Sequence, residues 1–169
     1  MSLVLRHQPE TANLTLETDG WVLIDDLLAG AATAGLRFTR EELEAVVKAC
    51  DKQRFAIDQT GAKIRANQGH SAEVELQFQP AEPPAELFHG TAERNLAAVL
   101  RDGLFKMARH HVHLSPDTTT ATKVGSRHGK PVLLVIDAAK MRADGHVFYR
   151  SANGVWLVEH VPPQYLRVL

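Results

Sequence analysis

The densest group of polar side chains in the sequence is RHHVHLS, at residues 109 to 115. Along a β-strand, successive side chains point to opposite faces of the sheet. A strand here would turn Val112 and Leu114 into the core and present four polar groups on the other face, from Arg109, His111, His113 and Ser115. An arginine with imidazoles and a hydroxyl on one surface favours a pocket for an anion or a dinucleotide.

A metal site is the alternative interpretation of the same segment. Zinc takes three or four His, Cys or carboxylate ligands, and His111 with His113 could supply two of them. The flanking Arg109 would repel a cation, and the sequence offers no CxxC, HExxH or carboxylate cluster to complete the set. We therefore expect no metal.

His89-Gly90-Thr91 follows the apolar pair Leu87-Phe88, and a helical pattern begins near Ala92. We expect the tripeptide at a strand end that faces a helix N-terminus, where a glycine lets a ligand approach the backbone. Free N–H and C=O groups there could pair with a carboxamide such as that of nicotinamide. A turn that merely ends the strand is the alternative.

The N-terminal half holds further candidates. Arg6-His7 closes the apolar helical run Leu3 to Leu5, and Arg54 begins a strand; each could instead be an ordinary solvated residue. IRANQGHS places five hydrogen-bonding side chains around one glycine, and its alternative interpretation is a polar surface loop. These five are Arg65, Asn67, Gln68, His70 and Ser71.

Helices followed by a hairpin must position this first group. WVLIDDLL predicts an Asp-capped helix that continues through the alanines toward Gly35. TREELEAVVKAC predicts a second helix, capped by Thr39, with a buried stripe of Leu43, Val46 and Val47. RFAIDQTGAKIRA then alternates with period two around a turn at residues 59 to 61, which predicts a hairpin. The order favours a winged-helix arrangement.

The segment QFQPAEPPAE is rich in proline and separates this half from a different pattern. Beyond it, short apolar runs such as PVLLVID, HVFYR and GVWLVE predict strands. Helices are expected at Glu93 to Arg101 and at Thr118 to Val124. We predict a compact β-rich second domain and an α+β chain overall.

Composition sets limits on the class of protein. The 169 residues are 44% hydrophobic and 23% charged, which is typical of a globular protein. The net charge is −1, with 8 basic and 12 acidic residues before Pro80, so a broad basic face is absent and nucleic acid must be held by a few placed arginines.

No apolar run approaches the length of a membrane span, and we expect no membrane contact and a cytoplasmic location. Cys50 is expected to be a small core residue rather than a nucleophile.

Eight ordered blocks together carry a resemblance to the Tpt1/KptA family of RNA 2′-phosphotransferases. They are LRHQPE, GWVLIDDLL, DKQRFAI, IRANQGHS, LFHGT, RHHVHLS, GSRHGKPVLL and SANGVWLVEHVPPQYL. The resemblance covers nearly the whole chain. It implies a winged-helix-like RNA-binding lobe at residues 1–78, a linker at 79–86, and an ADP-ribosyltransferase-like lobe that binds NAD⁺ at 87–169.

The resemblance also implies the site residues. The family's catalytic constellation falls on Arg6, His7, Arg54 and Arg109. The NAD⁺ site falls on His89, Gly90, Thr91, His113, Ser115 and Arg127, and we assign RNA contacts to Arg65, Asn67, Gln68, His70 and Ser71. Where related folds often carry a glutamate, this sequence has Val155. A carboxylate would repel a phosphate nucleophile, so the valine suits the expected chemistry.

The reaction implied is removal of an internal RNA 2′-phosphate, as at a tRNA splice junction, with NAD⁺ consumed as cosubstrate. The phosphate would displace nicotinamide and leave a transiently ADP-ribosylated RNA. The ribose 2″-hydroxyl would then attack the phosphate, releasing 2′-OH RNA and ADP-ribose 1″,2″-cyclic phosphate. We expect a monomer that needs no metal. An ADP-ribosyltransferase that stops after the first step, or a noncatalytic winged-helix regulator, would be the rival classes.

Overall fold

The computed structural model describes the backbone of residues 1–169 and every side chain except that of His128. The chain divides into two compact units, Met1–Gln77 and Phe78–Leu169. Helices and small antiparallel sheets occur in both units, so the α+β class predicted from the sequence is confirmed. None of the helices in the described part of the chain has the length and apolar content needed to cross a bilayer.

The first unit contains three α-helices and three strands. In chain order these are α1 Ser2–Arg6, β1 Val22–Leu23, α2 Ile24–Thr33, α3 Arg40–Lys48, β2 Phe55–Ile57 and β3 Lys63–Ala66, with a 3-10 turn at Pro9–Ala12. Strand β3 lies between β1 and β2 and is antiparallel to both. The predicted hairpin is confirmed, since Phe55 pairs with Ala66 and Ile57 with Ile64. Ile64 and Ala66 are fully buried in the core of this unit.

The helix ends of the first unit differ in how well the sequence predicts them. Thr39 accepts a hydrogen bond from the Glu42 backbone N–H, and the Glu42 carboxylate accepts one from the Thr39 N–H, which is a complete capping box. The predicted Asp cap of α2 is wrong, because Leu23 is the cap and Asp25 and Asp26 lie in the first turn. Val46 is also wrong as a core residue, since it is 53% exposed.

The second unit is richer in strands. In chain order its elements are β4 Glu86–Ala92, α4 Leu96–Asp102, β5 Leu104–Phe105, β6 Val112–Leu114, α5 Thr118–Gly125, β7 Pro131–Asp137, α6 Ala138–Ala143, β8 Phe148–Arg150, β9 Trp156–Val158, β10 His160–Val161 and β11 Leu166–Val168. Three-residue 3-10 turns lie at Glu93–Asn95, Ser126–His128 and Pro163–Tyr165. The helix predicted from Glu93 therefore begins as a 3-10 turn, and α6 was not predicted.

Three antiparallel sheets organise this unit. Strand β7 lies between β4 and β11, β9 lies between β6 and β8, and β5 pairs with β10. Phe88 and Ser115 link the first two sheets through an isolated bridge, with backbone hydrogen bonds of 2.9 and 2.8 Å in the two directions. The core packs side chains from β4, β6, β7 and β9 together, including Leu87, Leu114 and Ile136.

The proline-rich segment differs from a free linker. The Ala81 N–H donates to the Phe148 carbonyl at 2.9 Å, and Pro80 makes a bridge with Tyr149. Glu86, placed in the linker from sequence, is the first residue of β4. Proline prevents a regular strand here but leaves carbonyl and alternate N–H groups able to pair with the edge of β8.

Candidate functional site

In the first unit, the loop after β3 holds the end of α1. Helix α1 ends at Arg6, and His7 caps it. The Arg6 carbonyl accepts hydrogen bonds from the Ser71 and Ala72 backbone N–H groups, at 2.8 and 3.0 Å. The His7 Nδ1 and the Ser71 Oγ lie 2.9 Å apart, which is hydrogen-bonding distance. Residues 64 positions apart in the chain thus fix the Arg-His pair.

Arg54 is brought beside Arg6 by the same loop. The Arg54 carbonyl accepts from the Asn67 N–H at 2.9 Å and from the Arg6 guanidinium, with Nη2 at 3.4 Å. The Asn67 side-chain amide donates to the Gln53 carbonyl at 2.6 Å, and Gln53 has a left-handed φ of 41°. The Arg6 guanidinium also lies 5.7 Å from the centre of the Phe55 ring. A single loop therefore fixes the backbones of two arginines and the imidazole of His7. Guanidinium side chains are well suited to bind a phosphate.

Cys50 lies half-buried at the end of α3. The backbone hydrogen bond from Arg54 is the largest of several influences that lower the pKa of the Cys50 thiol. The Arg54 Nη1 lies 3.8 Å from the Cys50 Sγ. The expectation that Cys50 is a core residue is wrong, since Cys50 is only half-buried and is not among the buried residues that form the core of this unit.

The five residues assigned to RNA contact separate into two kinds. Asn67 and His70 are only 7% and 2% exposed, so we withdraw both as RNA contacts. The His70 ring lies beneath Gly20, where an added Cβ would be 3.5 Å from the Nε2. Arg65 lies over the Trp21 ring at 4.5 Å, and its Nη1 is 3.5 Å from the Asp19 carbonyl. RNA contact by Arg65, Gln68 and Ser71 stays a prediction.

In the second unit, His89 links two sheets. Its Nδ1 lies 3.0 Å from the His113 carbonyl. A carbonyl only accepts, so Nδ1 must carry the proton, and the neutral ring presents Nε2 as an acceptor. Burial lowers the pKa of His89, the bond to His113 opposes this, and the nearby Arg109 charge lowers it further. The neutral ring is thus favoured.

The structure corrects the placement of His89-Gly90-Thr91. The tripeptide lies in the middle of the seven-residue strand β4, where Gly90 pairs with Leu133, rather than at a strand end. A Cβ added to Gly90 would collide with the Ala121 carbonyl and lie 2.9 Å from the Gly125 N. Gly90 therefore allows α5 to pack against β4, which explains the glycine without any ligand. Its contact with NAD⁺ stays a prediction.

The structure also corrects the extent of the RHHVHLS strand. Only Val112 to Leu114 form β6, and Val112 and Leu114 are buried as predicted. Arg109 is exposed in the bend before the strand, where its N–H donates to the Lys106 carbonyl at 3.0 Å. It therefore does not share a strand face with His113, although its charge acts on His89.

His111 makes ring contacts that sequence reasoning did not predict. It packs edge-on against Tyr149 at 5.5 Å and Phe78 at 6.1 Å, and burial lowers the pKa of its imidazole. Among the described side chains, no three His, Cys, Asp or Glu residues come together as a metal site would require. These contacts explain His111 without a metal.

The remaining candidates lie at loop positions. Arg127 is exposed in the turn Ser126–His128. Val155 follows a tight turn in which its N–H donates to the Ser151 Oγ at 3.0 Å. The buried Ser151 hydroxyl also lies 2.8 Å from the Asn153 Oδ1, so the polar groups of this turn serve its own backbone.

Comparison with known proteins gives a consistent result. A sequence model described as "RNA 2'-phosphotransferase, Tpt1 / KptA family" matches residues 1–160. A relative from Streptomyces coelicolor is 56% identical over 99% of this chain and 91% of its own length. Relatives from Nostoc punctiforme and Pseudomonas aeruginosa are 53% and 52% identical, each over 99% of this chain and 92% of its own length. All three bear the name "Probable RNA 2'-phosphotransferase".

Proposed function

Since the chain belongs to the Tpt1/KptA family of RNA 2′-phosphotransferases, and is thus a transferase that acts on RNA, we propose that it uses NAD⁺ as the phosphate acceptor. The RNA substrate carries an internal 2′-phosphate, as at a tRNA splice junction. The observation that carries the proposal is that one loop holds the backbones of Arg6 and Arg54 and the ring of His7, because this places two residues able to bind phosphate and one able to transfer a proton on neighbouring segments.

In the first step, the guanidinium groups of Arg6 and Arg54 bind the 2′-phosphate and orient one oxygen for attack. NAD⁺ supplies an anomeric carbon with nicotinamide as its leaving group. Phosphate oxygen bonds to that carbon as the bond to nicotinamide breaks, which gives ADP-ribosylated RNA. Because phosphate is already anionic, no carboxylate base is needed, which agrees with valine at position 155.

In the second step, the ribose 2″-hydroxyl attacks phosphorus and the bond to the RNA 2′-oxygen breaks. His7 accepts the proton of the hydroxyl and returns it to the departing 2′-oxygen, so protons balance. Arg54 neutralises the charge that gathers on the phosphate oxygens, and we assign Arg109 of the second unit to the same step. The products are 2′-OH RNA and ADP-ribose 1″,2″-cyclic phosphate.

The second unit has groups that suit an uncharged amide and an anionic diphosphate. Neutral His89 offers an acceptor at Nε2, and the Arg109 charge acts nearby. We assign NAD⁺ to His89, Gly90, Thr91, His113, Ser115 and Arg127. Two antiparallel sheets joined by the Phe88–Ser115 bridge support an ADP-ribosyltransferase-like lobe. Helices followed by the β2–β3 hairpin support a winged-helix-like lobe in the first unit.

A direct assay tests the proposal. The protein is incubated with NAD⁺ and a short RNA that bears one internal 2′-phosphate, with EDTA present in a parallel reaction. We expect 2′-OH RNA, nicotinamide and the cyclic phosphate in equal amounts, unchanged by EDTA, from a protein that sediments as a monomer. Release of inorganic phosphate, or turnover without NAD⁺, would contradict the proposal. Accumulation of ADP-ribosylated RNA alone would identify an ADP-ribosyltransferase instead.

A further inference from the structure

The contact between Ser71 and His7 points to a role for Ser71 that would replace the RNA contact predicted from the sequence. Ser71 Oγ lies 2.9 Å from His7 Nδ1. Resting on the proposed function, we infer that Ser71 is a positioning residue for His7, whose hydroxyl accepts a hydrogen bond from Nδ1–H and thereby makes Nε2 the proton-transferring atom.

The direction of this hydrogen bond follows from the proton cycle. A serine hydroxyl can donate to Nδ1 or accept from it. If it donated, protonation of the ring would break the bond in the middle of the reaction, since an imidazolium has N–H donors at both nitrogens. If it accepts, the bond survives both protonation states. A ring that gains and loses a proton in one turnover is held throughout only by an acceptor at Nδ1.

The loop backbone is fixed independently of the Ser71 hydroxyl. The Ser71 and Ala72 N–H groups donate to the Arg6 carbonyl, and the buried His70 side chain anchors the preceding position. Gly69 turns the chain with a φ of 84°. Removing Oγ alone should therefore leave the loop in place. Because Ser71 is exposed, the change creates no cavity.

The test compares Ser71→Ala with Ser71→Thr, which keeps a hydroxyl. Thr33→Ala is the control, because it removes another exposed hydroxyl, on α2. Single-turnover reactions should show a second step about fivefold to tenfold slower in Ser71→Ala, as one lost hydrogen bond implies. The RNA KM should be unchanged, and Ser71→Thr should restore the rate. A raised RNA KM with an unchanged second step would mean that Ser71 contacts RNA, and would overturn the inference.

Nitrogen-15 spectra of the imidazole rings give a readout that needs no activity, with His7→Gln used to assign the His7 signals. In the wild type, at a pH where the His7 ring is neutral, the spectra should show the proton on Nδ1 and an unprotonated Nε2. Ser71→Ala should show a mixture of both tautomers. Identical spectra of the wild type and Ser71→Ala would refute the inference that Ser71 sets the tautomer of His7. Absence of phosphate transfer by the wild type would contradict the proposed function, whereas the spectra decide the role of Ser71 by themselves.

Discussion

Replacement of Gly90 by alanine separates two explanations of the HGT motif. If the glycine lets a ligand approach, Gly90→Ala should impair NAD⁺ use and leave stability intact. If it lets α5 approach β4, stability should fall. The added Cβ would collide with the Ala121 carbonyl, and the Ala121 carbonyl carbon and the Gly125 N would lie at 2.8 and 2.9 Å. All three atoms belong to backbone, so no side-chain rotation relieves the contact and α5 must move.

The expected cost follows from those contacts. Overpacking of a close-packed interior costs about 1–3 kcal/mol, and a collision with backbone places Gly90→Ala near the upper end. Reduced freedom of the unfolded chain returns roughly 0.4–1 kcal/mol. We expect a net loss of about 2 kcal/mol in the free energy of unfolding of the second unit.

Urea unfolding measures this loss. Trp156 lies in the second unit and Trp21 in the first, so a Trp21→Phe background makes the fluorescence report the second unit. Gly145→Ala is the matched control, because no atom lies within 4 Å of its added Cβ and only the left-handed φ of 95° opposes it. Its cost should be about 1 kcal/mol. A Gly90→Ala variant no less stable than this control would refute the packing argument.

Three further predictions concern the site. His89→Ala and His113→Ala should raise the KM for NAD⁺ more than that for RNA, and the reverse in separate titrations would mean that the units are wrongly assigned. The pKa of His89 is lower in the folded than in the unfolded protein, so at acidic pH the unfolded chain binds a proton that the folded chain does not. The free energy of unfolding of the wild type should therefore fall as the pH drops below about 6.5. His89→Gln should reduce this pH dependence, measured as the urea midpoint at each pH. Arg54→Ala and Arg109→Ala should slow the second step by on the order of a hundredfold, since phosphate charge grows most there. ADP-ribosylated RNA should then accumulate on a time course, whereas the control Arg37→Ala, at an exposed position, should not cause this. Persistence of unreacted RNA would mean that the loss falls mainly on binding or on the first step, and would refute this prediction.

Local patterns predicted those parts of the fold that local forces decide. The Thr39 capping box needs only residues 39 to 42, and the β2–β3 hairpin needs only its own alternation and turn. Predictions failed where distant packing decides. The alternation of polar and apolar residues begins at Arg109, before the strand. Pairing with β9 begins only at Val112, so Arg109 lies in a bend. Helix α6 has only six residues, too few for a periodic pattern.

The candidate site shows the same division. The family resemblance picked out Arg6, His7 and Arg54, since by residue type each could be an ordinary solvated residue. Residue type could not assign roles to the residues of the loop at 67–71, since their hydrogen-bonding capacity is equally suited to RNA or to the protein's own backbone. Burial and hydrogen bonding distinguish an RNA contact from a structural role. The Asn67 side-chain amide donates to the Gln53 carbonyl, and the Asn67 backbone N–H donates to the Arg54 carbonyl. A polar loop that holds catalytic residues differs from one that contacts a substrate only in where its partners lie, and those partners are distant in sequence.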